Sequence, residues 1–130
     1  GMQLMAEYGF EKKKTKGFGW IKGNIEKINS FSKNKLVNNL KIPHMGWNNL
    51  KINEKKHPIL KNISDHEQFY FLHSYYLNSL ENNQVIADTF HSHRIPAIVG
   101  KDNYIGMQFH PEKSSKSGQK IITNWLKWKQ

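Results

Sequence analysis

The chain has 130 residues, a formal net charge of +10 and no cysteine. This length suffices for one compact domain with a hydrophobic core, and the lack of cysteine excludes disulfides and thiolate zinc sites. The sequence has no run of about 18 apolar residues, so no transmembrane helix is expected. The first residues lack the basic region and the long apolar centre of a signal peptide, and a cytoplasmic protein is therefore expected.

The positive charge makes nucleic acid and membrane surfaces partners to consider. Lysines are spread from Lys12 to Lys129, however, and Arg94 is the only arginine. Specific recognition of phosphates and bases favours arginine, and the one dense run, residues 12–16, is interpreted as a solvated loop. We expect neither nucleic acid nor a membrane as partner. A basic binding module without catalysis stays an alternative, which steeply salt-dependent nucleic-acid binding would favour.

Spacings of three and four between apolar residues predict a helix from Gly1 to about Tyr8. The segments that follow alternate between strand-like and turn-like composition. The strands expected in the first half of the chain cover residues 24–28, 36–40 and 41–48, of which the last is predicted to end in a tight loop because it contains proline and glycine.

Residues 68–76 are nearly continuous in aromatic and aliphatic side chains, which predicts a central strand covered on both faces. A further strand is predicted at 85–90. Residues 95–99 and 103–109 are expected to form a hairpin whose turn is 100–102.

The last segment, residues 117–129, carries an apolar stripe opposite lysines, which predicts an amphipathic helix with Ser117 as its N-cap. Strands therefore dominate the middle of the chain, and helices are expected at both ends.

The most informative stretch is 104–114, YIGMQFHPEKS. Pro111 keeps His110 out of the α region. If the extended backbone continues through Pro111, Glu112 lies on the same side as His110 because side chains alternate along a strand. An imidazole beside a carboxylate suits a general base and the group that orients it. The chain contains no cysteine that this pair could activate.

Three segments together resemble the class I glutamine amidotransferases, and within them the glutaminase subunits of imidazole glycerol phosphate synthases. Residues 108–114 (QFHPEKS) match the histidine–glutamate motif of the family. Residues 41–48 (KIPHMGWN) match a segment characteristic of these subunits, and residues 70–76 (YFLHSYY) match the strand and turn that line the glutamine pocket.

The resemblance implies an α/β fold, with residues 1–130 forming the C-terminal portion of a flavodoxin-like, three-layer glutamine amidotransferase domain. The cysteine nucleophile of the family lies in a Gly-x-Cys-x-Gly-x-Gln elbow, whose last three residues Gly1, Met2 and Gln3 match. The cysteine is then expected two positions before Gly1, unless Gly1 is a cloning scar before Met2. Under both interpretations the chain as given is predicted to be inactive alone.

The resemblance also implies residue roles. The cysteine attacks the side-chain amide of glutamine, His110 shuttles the proton, and Glu112 orients His110. Water then hydrolyses the glutamyl thioester to glutamate. Gln3, Ser74 and Tyr75 are expected to bind the substrate glutamine, and no cofactor or metal is expected.

In this family the ammonia passes to a partner, a (β/α)-barrel cyclase that incorporates it into the imidazole ring in histidine biosynthesis. Trp47, Asn48 and Lys113 are expected to face that partner in a heterodimer, although Trp47 fits a core position equally well. A paralogue that supplies ammonia to another synthase, such as one that aminates a surface sugar, stays an alternative because its local motifs would be similar.

The remaining histidines have plainer interpretations. His91 and His93 have metal-like spacing, but no carboxylate pair or cysteine is near them in the sequence, so metal binding is not expected. His44 and His73 are interpreted as hydrogen-bonded structural histidines rather than acid–base groups.

Overall fold

A computed structural model describes residues 2–9, 15–17, 19–28, 42–53, 57–79, 82–101 and 103–128. Within these ranges lie ten strands and one α-helix. They are β1 (Ala6–Gly9), β2 (Thr15–Lys16), β3 (Ile21–Lys27), β4 (His44–Asn49), β5 (Lys51–Ile52), β6 (Gln68–His73), β7 (Tyr75–Ser79), β8 (Val85–Phe90), β9 (Arg94–Lys101), β10 (Tyr104–Met107) and α1 (Ser115–Lys127).

The strands form three sheets. One has the order β2-β1-β3-β7, in which β1 and β3 run parallel. The second has the order β10-β9-β8-β5 and is antiparallel throughout, and the third is the antiparallel pair β4–β6. The predicted strand at 85–90 and the predicted hairpin are confirmed. The two hairpin strands pair as far as Lys101 with Tyr104, so Gly100 and Lys101 belong to β9 and not to the predicted turn.

The predicted N-terminal helix is wrong beyond its first turn. Met2–Met5 forms a single 3-10 turn, and the chain then enters β1, which pairs with β3. Met2 and Met5 are both 5% exposed and press against β10, where a Cβ on Gly106 would lie 2.7 Å from Met2 Cγ and from Met5 Sδ. The spacing of Met2 and Met5 therefore reflects one tight turn that packs against Gly106.

The predicted central strand at 68–76 is two strands, β6 and β7, which separate at Ser74. β6 pairs with β4, whereas β7 pairs with β3. The aromatic run is continuous because it serves two sheets in succession. The carbonyl of Ser74 accepts a hydrogen bond from Ile28 N at 2.9 Å. This junction places Ser74 and Tyr75 beside the end of β10.

The first-half strands are partly as expected. Residues 24–28 lie mostly in β3, which starts earlier, at Ile21, and residues 36–40 lie outside the described residues. The strand predicted at 41–48 exists as β4, which continues to Asn49 instead of ending in a tight loop. The irregular backbone lies before the strand, at the cis peptide bond between Ile42 and Pro43.

The C-terminal helix is confirmed, but it begins two residues before Ser117. Ser114 occupies the N-cap position, since the 3-10 turn Pro111–Lys113 leads directly into α1. Asn124 Nδ2 donates to Ile59 O at 2.8 Å and to Lys61 O at 2.7 Å, which fastens the helix to the loop before β6.

The main core lies between α1 and the strands β6, β8 and β9. Its fully buried side chains include Leu50, Ile59, Phe69, Phe71, Ile98 and Ile121. In the described ranges, no helix has both the length and the apolarity needed to cross a bilayer.

Candidate active site

A polar cleft of about 420 Å³ opens where the end of β10 meets the Met2–Met5 turn and the β6–β7 junction. Gln3, Ser74, Tyr75 and His110 all line it, as does Gln108. Four of the five side chains predicted for catalysis and substrate binding therefore share one cleft, although they come from three separate parts of the sequence. The fifth, Glu112, contacts His110.

His110 and Glu112 form the predicted pair. Nδ1 of His110 lies 2.9 Å from Oε1 of Glu112, and their side chains are 37% and 62% exposed. The contact is made through the 3-10 turn Pro111–Lys113 and not through the extended backbone that the sequence suggested. Because a carboxylate only accepts hydrogen bonds, Nδ1 of His110 carries a proton. In the neutral imidazole, Nε2 then has a lone pair that can accept a proton.

Glu112 is a carboxylate at neutral pH. A hydrogen bond from its own backbone N–H lowers its pKa below the usual value, and the hydrogen bond with the His110 side chain adds to this effect. A charged Glu112 can hold the imidazole tautomer and stabilise the imidazolium.

The backbone of His110 is fixed by β6 and Ser114. His110 N donates to Tyr70 O at 2.9 Å. Ser114 Oγ accepts from Tyr70 N at 2.9 Å and donates to His110 O at 2.7 Å. Ser114, which is fully buried, was not among the predicted site residues. The signal in the sequence is its position four residues after His110 and three residues before the predicted helix.

Gln3 enters the cleft from the 3-10 turn. Its Nε2 donates to Tyr75 O and to Gln108 Oε1, each at 3.0 Å. Both amide protons are thereby used, so its carbonyl oxygen is the group that can accept a hydrogen bond from a ligand. Gln108 was not among the predicted site residues, although strand alternation places it on the same face as His110.

Two buried histidines adjoin the cleft: His73 is part of its lining, and His44 lies against His73. His44 and His73 are 4% and 7% exposed, and Nδ1 of His44 lies 2.9 Å from Nε2 of His73. Burial lowers the pKa of His44 to about 3, with help from the nearby His73 and His91. Burial also lowers the pKa of His73 to about 4, against a hydrogen bond to Tyr75 O. Both are neutral, as expected for structural histidines.

The predicted partner-facing residues occupy different environments. Trp47 is 51% exposed, which rules out the core position, and its ring meets Tyr70 edge-on. Lys113 is exposed at the turn beside His110. Asn48 points to the opposite face of β4, where its Nδ2 donates to Phe90 O at 2.8 Å. Among the described residues, no group of three or more histidine, aspartate or glutamate side chains is arranged so that it could hold a metal ion.

The sequence of this chain is similar to those of known proteins. The sequence profile of the family glutamine amidotransferase class-I matches residues 1–128. A protein of Cereibacter sphaeroides named imidazole glycerol phosphate synthase subunit HisH is 43% identical over 129 residues, which cover 99% of this chain and 58% of the relative. Proteins with the same name in Azospirillum brasilense and Brucella abortus are 43% and 42% identical, and 64% and 58% of their lengths are covered. The chain thus spans 58–64% of the length of these curated relatives.

Proposed function

The chain belongs to the class-I glutamine amidotransferase family, and from this premise we propose that it carries the glutamine-binding and proton-transferring part of a glutaminase. The family and the α/β fold class predicted from the sequence are confirmed by the profile match. The substrate, the residue roles and the partner belong to the proposal.

One observation supports the proposal most strongly. The cleft brings the amides of Gln3 and Gln108 and the carbonyl of Tyr75 next to a histidine–carboxylate pair. Convergent polar groups in a cleft beside a base are what binding and activating an amide require. The substrate proposed is free glutamine, with Gln3, Ser74 and Tyr75 holding its polar groups.

The proposed reaction has two steps. A cysteine thiolate attacks the side-chain carbonyl of glutamine, the C–N bond breaks, and His110 gives its proton to the leaving ammonia. Water then attacks the glutamyl thioester, His110 takes a proton from it, and glutamate leaves as the C–S bond breaks. None of the 130 residues is a cysteine, so the chain supplies His110 and Glu112 but not the thiolate.

The outer face of the β4–β6 pair supports the proposal of a protein partner. Met45, Trp47 and Leu72 are 65%, 51% and 38% exposed, and they lie side by side with Tyr70. An exposed apolar group of this kind marks interaction surfaces more often than ordinary surface. We propose a (β/α)-barrel cyclase as the heterodimer partner, with Trp47 and Lys113 at the interface. Asn48 stays a predicted contact, although its amide is engaged on the other face.

The names of the relatives favour one synthase as the enzyme that receives the ammonia. Each of the three described above is named a subunit of imidazole glycerol phosphate synthase, which favours ammonia supply to histidine biosynthesis over supply to a sugar-aminating synthase. The cytoplasmic location expected from the sequence goes with this proposal. Membership of an amidotransferase family also disfavours a nucleic-acid-binding module.

Calorimetric titration of the 130-residue chain with glutamine tests the proposed site. We expect saturable binding, and we expect Gln3→Ala to weaken it about tenfold, the size of one hydrogen bond in a polar site. Gln119→Ala is the matched control, because Gln119 is exposed on α1, away from the cleft. Absence of glutamine binding by the folded chain, or equal losses in both variants, would refute the proposed site.

A further inference from the structure

A continuous chain of hydrogen bonds runs from β4 to the cleft. Asn48 Nδ2 lies 2.8 Å from Phe90 O and 3.1 Å from His44 Nε2. His44 Nδ1 lies 2.9 Å from His73 Nε2, and His73 Nδ1 lies 2.7 Å from Tyr75 O. The same carbonyl accepts from Gln3 Nε2 at 3.0 Å. Two buried histidines are therefore linked to a cleft residue through one backbone oxygen.

The donors and acceptors in this chain of hydrogen bonds fix the position of each proton. A backbone carbonyl can only accept, so the proton of neutral His73 is on Nδ1 and its Nε2 is an acceptor. His44 must then donate from Nδ1, which leaves its own Nε2 as an acceptor for the Asn48 amide.

The other end of the hydrogen-bond chain, at Asn48, leads to the same proton positions. Asn48 Nδ2 must be the amide nitrogen because it faces the carbonyl of Phe90, and its oxygen accepts from Asn49 N at 2.7 Å. The amide orientation is thus set by two backbone groups. Starting from either end, every contact pairs one donor with one acceptor only when both histidines are neutral and carry the proton on Nδ1.

We propose that His44 and His73 are positioning residues that hold the Tyr75 carbonyl in place, and through it the side chain of Gln3, in the cleft. His73 lines the cleft, but among the hydrogen bonds of the described residues none joins either histidine to His110 or Glu112, so we assign neither a catalytic role. This inference rests on the proposed glutamine site for its functional meaning, but the order of protons that it requires does not depend on any ligand.

The surroundings favour the neutral pair. His44 stacks on Phe71 and on His91, at ring-centre distances of 4.9 and 4.2 Å. The titratable groups near His73 are His44, His91 and His110, none of which carries negative charge. A proton added to His44 or His73 would place donor against donor within the chain, so the charged forms are disfavoured by geometry as well as by burial.

His44 matters because it selects the tautomer of His73. Without a donor at the position of His44 Nδ1, His73 can move its proton to Nε2. Its Nδ1 lone pair would then face the oxygen of Tyr75 at 2.7 Å, and this repulsion would displace the carbonyl that anchors Gln3.

Long-range ¹H–¹⁵N correlation spectra of the 130-residue chain test the proton order. His44 and His73 are expected to show the Nδ1–H tautomer at pH 7 and to stay neutral at pH 5. Substituting each histidine in turn assigns the signals. An Nε2–H tautomer at either residue would overturn the inference, whether or not the chain binds glutamine.

Two isosteric substitutions test the positioning role. In His44→Asn, the amide nitrogen lies near the former Nδ1 and can still donate to His73. In His44→Gln, the amide reaches the former Nε2 position and meets Asn48 instead. We expect the side-chain amide signals of Gln3 to stay near their wild-type shifts in His44→Asn and to move in His44→Gln.

Glutamine affinity provides the functional readout for the same pair. We expect His44→Asn to bind about as tightly as wild type and His44→Gln to bind about tenfold more weakly. If the Gln3 signals and the affinity respond equally in both variants, the role of His44 is only structural. If the wild-type chain binds no glutamine, the proposed function fails, and the Gln3 signals and histidine tautomers still decide the positioning claim.

Discussion

His110 shows at the scale of single residues what local sequence can and cannot predict. Its partner Glu112 is only two residues away, so the local sequence could indicate the pair, but a 3-10 turn makes the contact and not the extended backbone that strand geometry predicted. Its support by Tyr70 and Ser114 depends on a bond that joins residues 44 positions apart. No local pattern encodes such a partner, which is why Ser114 was missed. Strand alternation gives the face on which Gln108 lies, but its contact with Gln3 joins residues 105 positions apart and could not be seen locally.

The two buried histidines predict a loss of stability in mild acid. The folded-state pKa values of His44 and His73 are about 3 and about 4, below the ordinary histidine pKa of 6.5. The unfolded chain therefore takes up protons below pH 6.5 that the folded chain does not, so stability is complete above that pH and falls as the pH decreases. The expected slope is about 1.4 kcal/mol per pH unit for each proton.

Urea unfolding between pH 7.5 and pH 5 measures this slope. Glu67 and Glu112 have pKa values lowered from 4.5, so their contribution is lost at lower pH and does not obscure this window. His44→Asn removes one of the two protons and should reduce the slope. A free energy of unfolding that is unchanged between pH 7 and pH 5 would contradict the neutral, buried pair.

At the scale of elements, α1 is coupled to the site through Gly118. A Cβ at this position would lie 1.8 Å from Pro111 O and 3.1 Å from Ser114 Cβ. Those residues flank Glu112 in the turn that presents the His110–Glu112 pair. The absence of a side chain at Gly118 is what lets the helix start directly beneath this turn.

Gly118→Ala should therefore destabilise the chain by about 1–3 kcal/mol, because the added methyl group forces α1 and the turn apart. This loss exceeds the gain of about 1 kcal/mol that alanine gives over glycine in an ordinary helix. Thr123→Ala, on the exposed face of α1, serves as the control and should change stability little. Chemical unfolding measures both, and a Gly118→Ala chain as stable as wild type would refute the close contact.

The elements themselves were predicted with uneven success. The β9–β10 hairpin and α1 follow from short-range periodicity, which depends on neighbours only a few residues away. The separation of β6 from β7 at Ser74 could not be seen in the same way. It depends on which distant strands, β4 and β3, pair with each half of an aromatic run.

At the scale of the whole molecule, the two faces of β4–β6 have different tasks. The inner face carries His44, Phe71 and His73, whereas the outer face exposes Met45 and Trp47. The alternation of a strand separates the two sets. The same pair of strands thereby contributes His73 to the cleft and exposes the proposed partner surface on its other face.

Binding to the proposed partner, a (β/α)-barrel cyclase subunit of an imidazole glycerol phosphate synthase, tests the outer face. Trp47→Ala should weaken the complex at least about tenfold, since exposed tryptophans at the centre of an interface carry much of its binding energy. Trp125→Ala is the matched control, because Trp125 is 54% exposed on α1 and Trp47 is 51% exposed. An equal effect of both substitutions, or none from Trp47→Ala, would exclude this interface.

We propose that His110, oriented by Glu112, moves protons for a glutamyl group bound in the cleft. The second step of the proposed reaction needs no cysteine from the chain if the thioester is supplied ready-made. Hydrolysis of glutamic acid γ-methyl thioester to glutamate and methanethiol isolates that step, and release of the thiol is easily measured.

We expect the 130-residue chain to hydrolyse this thioester about a hundredfold faster than buffer, as positioned general-base catalysis allows, and to release no glutamate from glutamine. His110→Asn should abolish the acceleration. His66→Asn should preserve it, because His66 also pairs with a carboxylate but is exposed, with a side-chain exposure of 70%. An acceleration that survives in His110→Asn, or a chain that binds glutamine yet leaves the thioester untouched, would contradict the account.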